Sequence, residues 1–131
     1  MNNRILIAED DPTNMKILLL TLEDEDYQIE SATNGKIAWE ILEKSEKPFN
    51  VIILDWMMPE MSGIEVLSRI KQDKRFQHIP VIMQTAKAQQ TDIAKGMKEG
   101  AFQFITKPFE EDVLISIVKS ALGECEKTSN V

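Results

Sequence analysis

Residues 51–55 read Val-Ile-Ile-Leu-Asp, an apolar run that ends on a carboxylate. Two further stretches are also uninterrupted apolar runs, Ile5–Ala8 before this one and Val81–Met83 after it. Uninterrupted apolar runs of this length are expected where helices cover both faces of a parallel strand. We therefore predict that these three strands lie in the interior of a parallel sheet.

Five strands in all are predicted, and they alternate with segments of helical period. Their predicted bounds are, in chain order, Arg4–Ala8, Tyr27–Ala32, Val51–Asp55, Pro80–Thr85 and Ala101–Ile105. The second and fifth strands alternate apolar with polar residues, which is typical of sheet edges. The pattern predicts an α/β fold, a flavodoxin-like doubly wound parallel sheet of five βα units in the order 2-1-3-4-5.

Helix signals lie between the strands. Asp11 is a candidate N-cap, and Pro12 follows at the favoured first helical position. Gly123 is predicted to stop the last helix. Gly96 lies inside the fourth helix and weakens it, so we expect this helix to be the mobile one. The predicted domain covers residues 1–123, and a polar C-terminal tail covers 124–131.

Length and composition limit the class of protein. The chain has 131 residues, 43% of them hydrophobic, which suffices for one buried core. Cys125 is the only cysteine, so an intrachain disulfide is excluded and a cytoplasmic location is expected. Fifteen Lys and Arg against 22 Asp and Glu give a net charge of −7, which opposes direct nucleic-acid binding. No apolar run approaches the ~20 residues of a membrane helix.

Polar side chains follow four of the predicted strands. Glu9 and Asp10 follow the first strand, Asp55 ends the third, Thr85 ends the fourth and Lys107 lies just beyond the fifth. The carboxyl ends of parallel strands lie at one edge of the sheet, where such folds bind their ligands. We therefore expect these side chains to converge on one site.

Three carboxylates at one edge repel each other, by roughly 4 kcal/mol for two unit charges about 4 Å apart at an effective dielectric constant of 20. Lys107 neutralises one charge and leaves about two, which a divalent cation matches. A site that offers only a few protein oxygens favours Mg²⁺, which keeps several bound waters, over Ca²⁺, which takes six to eight ligands. The alternative is that one of the acids is protonated. Each residue alone is more often an ordinary loop or cap residue, so their joint placement carries the prediction.

These residues belong to four motifs: Glu9-Asp10-Asp11, the stretch from Leu54 to Gly63, Thr85-Ala86, and Thr106-Lys107-Pro108-Phe109. In this order, and over residues 4–123, they resemble the receiver domain of bacterial two-component response regulators. The resemblance covers nearly the whole chain, and four motifs together with five βα units are highly specific.

The resemblance implies that Asp55 accepts a phosphoryl group from a sensor histidine kinase or a phosphotransfer protein and becomes an aspartyl phosphate. It also implies a bound Mg²⁺, for which Mn²⁺ substitutes. The implied ligands are Asp10, Asp55 and the backbone carbonyl of Met57, with Glu9 in the outer shell or acting through water. Phosphoryl transfer depends mainly on such positioning and charge neutralisation.

Further roles are implied on the phosphoryl side of the site. Lys107, the Thr85 hydroxyl and the Ala86 amide are expected to contact the phosphoryl oxygens, and the Lys107–Pro108 bond is expected to be cis. Phe104 matches the family's aromatic switch, which turns inward when the threonine moves toward phosphate. An ordinary edge-strand aromatic is the alternative for Phe104.

Two positions are implied to tune the lifetime of the phosphate. Met57 and Lys87 lie two residues after Asp55 and Thr85, beside the path of the hydrolytic water in the family. Met57 has no group to orient water, so slow self-dephosphorylation is expected. Gln84 places a polar group in an otherwise apolar strand, and nothing in the sequence explains it.

The resemblance implies a signalling domain rather than an enzyme with a turnover substrate. The expected output surface is formed by the fourth helix, fifth strand and fifth helix, and a downstream protein or a missing output domain is expected to bind it. Dimerisation on phosphorylation is a further expectation.

A phosphorylation-independent binding module remains the alternative. A flavin or nucleotide binder is disfavoured because Glu9–Pro12 lacks the phosphate-binding glycines. An aspartyl-phosphate hydrolase is disfavoured because Met57 stands where such enzymes have an acid/base Asp.

Overall fold

The computed structural model describes residues 3–86 and 90–123. Within them the strands are β1 (Arg4–Ala8), β2 (Gln28–Ala32), β3 (Val51–Asp55), β4 (Val81–Thr85) and β5 (Gln103–Thr106). The helices are α1 (Pro12–Leu22), α2 (Gly35–Lys44), α3 (Gly63–Gln72), α4 (Gln90–Lys98) and α5 (Glu111–Ala121), with a 3₁₀ turn at Glu23–Glu25. The predicted tail at 124–131 and the predicted role of Lys87 fall outside the described residues.

The strands form one parallel sheet in the order β2-β1-β3-β4-β5, which confirms the predicted doubly wound, flavodoxin-like order. In this register Ala8 lies opposite Leu54, and Asp55 lies opposite Gln84. Because the strands are parallel, their carboxyl ends share one edge, and the loops at that edge hold the candidate site.

The apolar runs of β1, β3 and β4 are buried between two layers of helices, as predicted for interior strands. Successive side chains of a strand point to opposite faces. Ile5 and Ile7 pack in the cluster that includes α1 and α5, whereas Leu6 and Leu54 pack in the cluster that includes α2 and α3. Both faces are therefore apolar, with Gln84 as a fully buried exception.

The edge strands β2 and β5 are partly exposed, as their alternating sequences predict. Three predicted strand starts are wrong by one or two residues: β2 begins at Gln28 rather than Tyr27, and the other two are the starts of β4 and β5. Pro80 precedes β4, since proline has no N–H to donate to a ladder. Ala101 closes the end of α4 by donating its N–H to the Gly96 carbonyl (3.0 Å), and Gly100 adopts a φ of +108°, so β5 begins at Gln103.

The predicted helix ends are also present. The Asp11 side chain accepts a hydrogen bond from the Thr13 N–H (3.2 Å), and Pro12 is the first residue of α1. Helix α5 ends at Ala121, and Gly123 follows its C-cap with a φ of +79°, a conformation that favours glycine. In the described part of the chain, no helix is long and apolar enough to cross a membrane.

Candidate functional site

Among the described residues, three carboxylates meet at the carboxyl end of the sheet. Ala8 and Leu54 are paired neighbours, so the residues after them, Glu9 and Asp55, lie side by side. Single carboxylate oxygens of Glu9, Asp10 and Asp55 lie within 4.8 Å of one another. Glu9 is 1% exposed and Asp55 is 4% exposed, whereas Asp10 faces solvent. The three acids that the sequence predicted to converge do so.

Lys107 bridges two of these carboxylates. Its Nζ lies 2.9 Å from Glu9 Oε1 and 2.9 Å from Asp55 Oδ2. The Lys107 N–H donates to the Thr85 carbonyl (2.9 Å), which fixes the backbone beside β4, and the bond to Pro108 is cis. One ammonium group therefore balances part of the negative charge of the cluster.

Burial and charge distribute the protons of this cluster unequally. Burial raises the pKa of Asp55 to about 7, an effect that Lys107 opposes and the Glu9 carboxyl strengthens. Burial also opposes ionisation of Glu9, but hydrogen bonds from four neighbours, the Asp11 backbone first among them, outweigh it and lower the pKa of Glu9. Burial opposes charge on Lys107, yet its two carboxylate partners raise the pKa of Lys107. Of these two buried acids in the metal-free site, Asp55 is therefore the one that holds a proton more readily.

Two amide side chains for which the sequence predicts no role are linked to each other by a hydrogen bond, and one of them also contacts Glu9. Asn14, in the first turn of α1, donates from Nδ2 to Glu9 Oε1 and also to Gln84 Oε1 (3.1 Å). The Asp11 N–H donates to Glu9 Oε2 (3.0 Å). Gln84 stood out in the sequence as a polar residue in an apolar strand. Its partner is 70 residues away along the chain, so only the fold reveals the pair.

The other predicted phosphoryl-binding residues line a cavity next to Asp55 along the sheet edge. Thr85 and Ala86 enclose a space of about 310 Å³ together with Trp56, Met57 and Asp92. Thr85 is buried at the end of β4, Ala86 is exposed in the bend that follows, and Met57 is 73% exposed. The cavity is therefore lined by the two residues that follow Asp55 in the sequence, and it opens toward solvent at Met57.

Phe104 packs on the inside of α4. Its ring centroid lies 6.0 Å from that of Trp56, and the two planes are inclined by 40°. A Cβ on Gly96 would lie 2.3 Å from the Phe104 ring, so the ring occupies the space that this glycine leaves free. Phe104 thereby connects α4 to the residue that directly follows Asp55 in the sequence.

The donor set of the acidic cluster fits a hard divalent cation. It consists of carboxylate oxygens, two of them buried and one exposed, which are the ligands that Mg²⁺ and Ca²⁺ prefer. Lys107 offsets only one negative charge. The cluster could hold a metal ion.

The fold and the site together define a class of protein: a doubly wound α/β domain with an acidic site at the ends of β1 and β3 and a lysine beyond β5. The family model described as "Response regulator receiver domain" matches residues 5–119. The chain belongs to this family, whose members are two-component signalling domains rather than typical turnover enzymes.

Named relatives agree with this membership. The transcriptional regulatory protein SrrA of Staphylococcus aureus is 36% identical over 129 residues, an alignment that covers 98% of this chain and 52% of SrrA. The chain therefore spans about half the length of the curated relatives it matches.

Two solved structures have the same fold. The signal receiver domain of a signal transduction histidine kinase from Syntrophus aciditrophicus is 37% identical, with a TM-score of 0.84 and coverage of 93% of this chain and 91% of that chain. The chemotaxis response regulator CheY4 of Vibrio cholerae is 26% identical, with a TM-score of 0.85 and coverage of 93% and 100%. Receivers thus occur among the relatives both as regulators and as part of a kinase.

Proposed function

We propose that this domain receives a phosphoryl group on Asp55 in a Mg²⁺-dependent reaction and changes its surface in response. The donor is a sensor histidine kinase or a phosphotransfer protein, in keeping with the family of the chain. The observation that carries the proposal is the buried Asp55 carboxyl itself, which lies within 4.8 Å of the carboxylates of Glu9 and Asp10 and 2.9 Å from the Lys107 ammonium.

The transfer step is a displacement at phosphorus. A carboxylate oxygen of Asp55 forms a bond to the phosphorus of a phosphohistidine, the P–N bond breaks, and the imidazole nitrogen leaves and is protonated. The product is an aspartyl phosphate on Asp55 and a neutral histidine on the donor. Because the attacking group and the phosphoryl group are both anionic, charge neutralisation lowers the barrier.

Asp10, Asp55 and the backbone carbonyl of Met57 would hold the Mg²⁺, with Glu9 in its outer shell or bonded through water. When bound, the cation supplies positive charge to the phosphoryl oxygens. Mn²⁺, which takes similar oxygen ligands, would replace it. Asp55 must lose its proton before it attacks, and this chain places Lys107 within 2.9 Å to stabilise the carboxylate.

The phosphoryl oxygens would be contacted by Lys107, the Thr85 hydroxyl and the Ala86 amide. Thr85 and Ala86 line the cavity next to Asp55. Movement of Thr85 toward the phosphoryl group would change the space against which Phe104 packs, and Phe104 already contacts α4 at Gly96. We infer that the signal leaves through α4, β5 and α5, toward a downstream protein or an output domain.

The proposed domain has no turnover substrate and acts only on its own phosphoryl group. The side chain of Met57 has no group that can orient a hydrolytic water. We therefore expect slow self-dephosphorylation, with Lys87 as a second tuning position. Nucleic-acid contacts by this domain are not expected at a net charge of −7. A dimer formed on phosphorylation and a cytoplasmic location complete the proposal.

The test is phosphorylation by acetyl phosphate, with and without Mg²⁺, followed by intact mass measurement. Asp55→Asn removes the acceptor, and Asp92→Asn is the matched control because Asp92 lines the adjacent cavity without belonging to the acidic cluster. We expect one phosphoryl adduct on the wild type and on the control, only with Mg²⁺, and none on Asp55→Asn. No adduct on any variant, with this donor and with a panel of histidine kinases, would favour the phosphorylation-independent binding module instead.

A further inference from the structure

Gln84 is the least expected side chain of the sheet. It is fully buried in β4, and its Nε2 has no hydrogen-bond partner among the described residues. A buried amide with an unmet donor destabilises a fold by about 1–3 kcal/mol relative to a satisfied one. A leucine or methionine would fill the same place without that penalty. The amide therefore calls for a reason other than packing.

The position of Gln84 points to the acidic cluster. Gln84 lies opposite Asp55 in the sheet register. Its side chain lies on the same face of β4 as Ile82, which packs in the cluster that includes α1. There Gln84 Oε1 accepts a hydrogen bond from Asn14 Nδ2 (3.1 Å), and the same nitrogen donates to Glu9 Oε1. The amide of Asn14 is thus held between Gln84 and the buried acid.

The proposed reaction changes the partners of Glu9. Lys107 now donates to Glu9 Oε1 and to Asp55 Oδ2, both at 2.9 Å. When Lys107 turns to a phosphoryl oxygen, Glu9 Oε1 loses one of its two donors, and Asn14 is the one that remains. The Asp11 N–H continues to hold Oε2. The hydrogen bond from Asn14 to Oε1 would then keep the Glu9 carboxylate in its orientation.

We propose that Asn14 and Gln84 are positioning residues that hold the Glu9 carboxylate in place for the divalent cation while Lys107 changes partners. Gln84 acts only through Asn14, by fixing the orientation of its amide. The inference rests on the proposed function, because it assumes that the acidic cluster binds Mg²⁺.

The test is a titration of the full chain with MgCl₂, followed by the fluorescence of Trp56, which directly follows Asp55. The variant Trp39→Phe serves as the background, so that one tryptophan reports. We expect Gln84→Met to weaken Mg²⁺ binding roughly threefold to tenfold, the effect of one net hydrogen bond. Asn14→Ala is expected to weaken it by about tenfold or more, as for other residues that orient metal ligands.

Two comparisons separate positioning from a structural role. Gln84→Met is expected to leave the free energy of unfolding in chelator unchanged or to raise it, while it weakens Mg²⁺ binding. Ile82→Val, a fully buried change on the same face of β4, is expected to lower the free energy of unfolding and to leave Mg²⁺ binding unchanged. The double variant of Asn14 and Gln84 should bind Mg²⁺ no more weakly than Asn14→Ala alone.

Equal Mg²⁺ affinity of Gln84→Met and the background chain would overturn the inference and leave the proposed function intact. Additive losses in the double variant would show that Gln84 does not act through Asn14, which also overturns it. Absence of Mg²⁺ binding in the background chain, together with absence of a phosphoryl adduct, would instead overturn the proposed function and the inference with it.

Discussion

Replacement of Asp55 by asparagine is expected to stabilise the metal-free protein at neutral and alkaline pH. The Asp55 carboxyl is 4% exposed and has Glu9 beside it, so its ionisation in the folded protein is unfavourable. Asparagine has nearly the same shape, keeps an oxygen for Lys107 to bond, and carries no charge. The variant therefore removes an electrostatic penalty with little change in packing.

The size of the gain follows from the pKa of Asp55, which burial raises to about 7. In the unfolded chain the pKa of an aspartate is about 3.9, and each unit of difference corresponds to about 1.36 kcal/mol. The full difference corresponds to roughly 4 kcal/mol. Because Asp55 and Glu9 share Lys107 and titrate as a pair, we expect a net gain of about 2–4 kcal/mol in the free energy of unfolding.

The sign of the pH dependence is fixed by the direction of the shift. Below about pH 4 the Asp55 carboxyl is protonated in both states, and it contributes nothing to pH-dependent stability. Between about pH 4 and pH 7 the unfolded chain loses this proton while the folded chain keeps it, so the wild type loses stability as the pH rises. The difference between Asp55→Asn and the wild type should therefore grow over this window and level off above it.

The assay is urea denaturation in the presence of a chelator, at intervals from pH 5 to pH 8.5. Asp24→Asn, at an exposed position in the 3₁₀ turn, removes the same charge from the surface and controls for net charge. A difference between Asp55→Asn and the wild type that does not change with pH, or a variant that is less stable than the wild type at pH 8, would refute the reasoning.

Three further predictions concern the framework of the site. Asp11→Ala removes the N-cap of α1 and is expected to lower the free energy of unfolding by about 1 kcal/mol in urea denaturation, whereas Asp11→Ser should retain most of it. Gly35→Ala would place a Cβ 2.0 Å from the Met61 carbonyl oxygen, so a loss of about 1–3 kcal/mol is expected in the same assay, and unchanged stability would show that α2 can shift freely. Gly96→Ala would place a Cβ 2.3 Å from the Phe104 ring, so the ring should move and the tryptophan emission should change, while an unaltered spectrum would contradict this packing.

Much of the fold could be predicted because the interior strands are continuous apolar runs that are buried on both faces of the sheet. The continuous apolar runs at Ile5–Ala8 and Val51–Leu54 require cover on both faces, and this predicts a parallel sheet with helices on each side. The start of β5 was not predictable in the same way. Apolar and polar residues alternate in Ala101–Ile105, which predicts a strand. Ala101, however, donates its N–H to the Gly96 carbonyl and so belongs to the turn that ends α4.

The candidate site was predictable as far as it depends on strand ends. Glu9, Asp55 and Lys107 each lie at or just beyond the carboxyl end of a predicted strand, so their convergence follows from the parallel topology alone. The contact between Asn14 and Gln84 depends on the packing of α1 over the sheet, which no local pattern specifies. The unequal distribution of protons between Asp55 and Glu9 also depends on burial and individual hydrogen bonds, and these exist only in the folded protein.

The most direct test of the central claim is to locate the phosphoryl group on the chain. After treatment with acetyl phosphate and Mg²⁺, borohydride reduction converts an aspartyl phosphate to homoserine, and peptide mass spectrometry identifies the converted residue. We predict homoserine at position 55 and at no other aspartate. Conversion at another aspartate, or an adduct that survives in Asp55→Asn, would contradict the assignment of Asp55 as the phosphoryl acceptor.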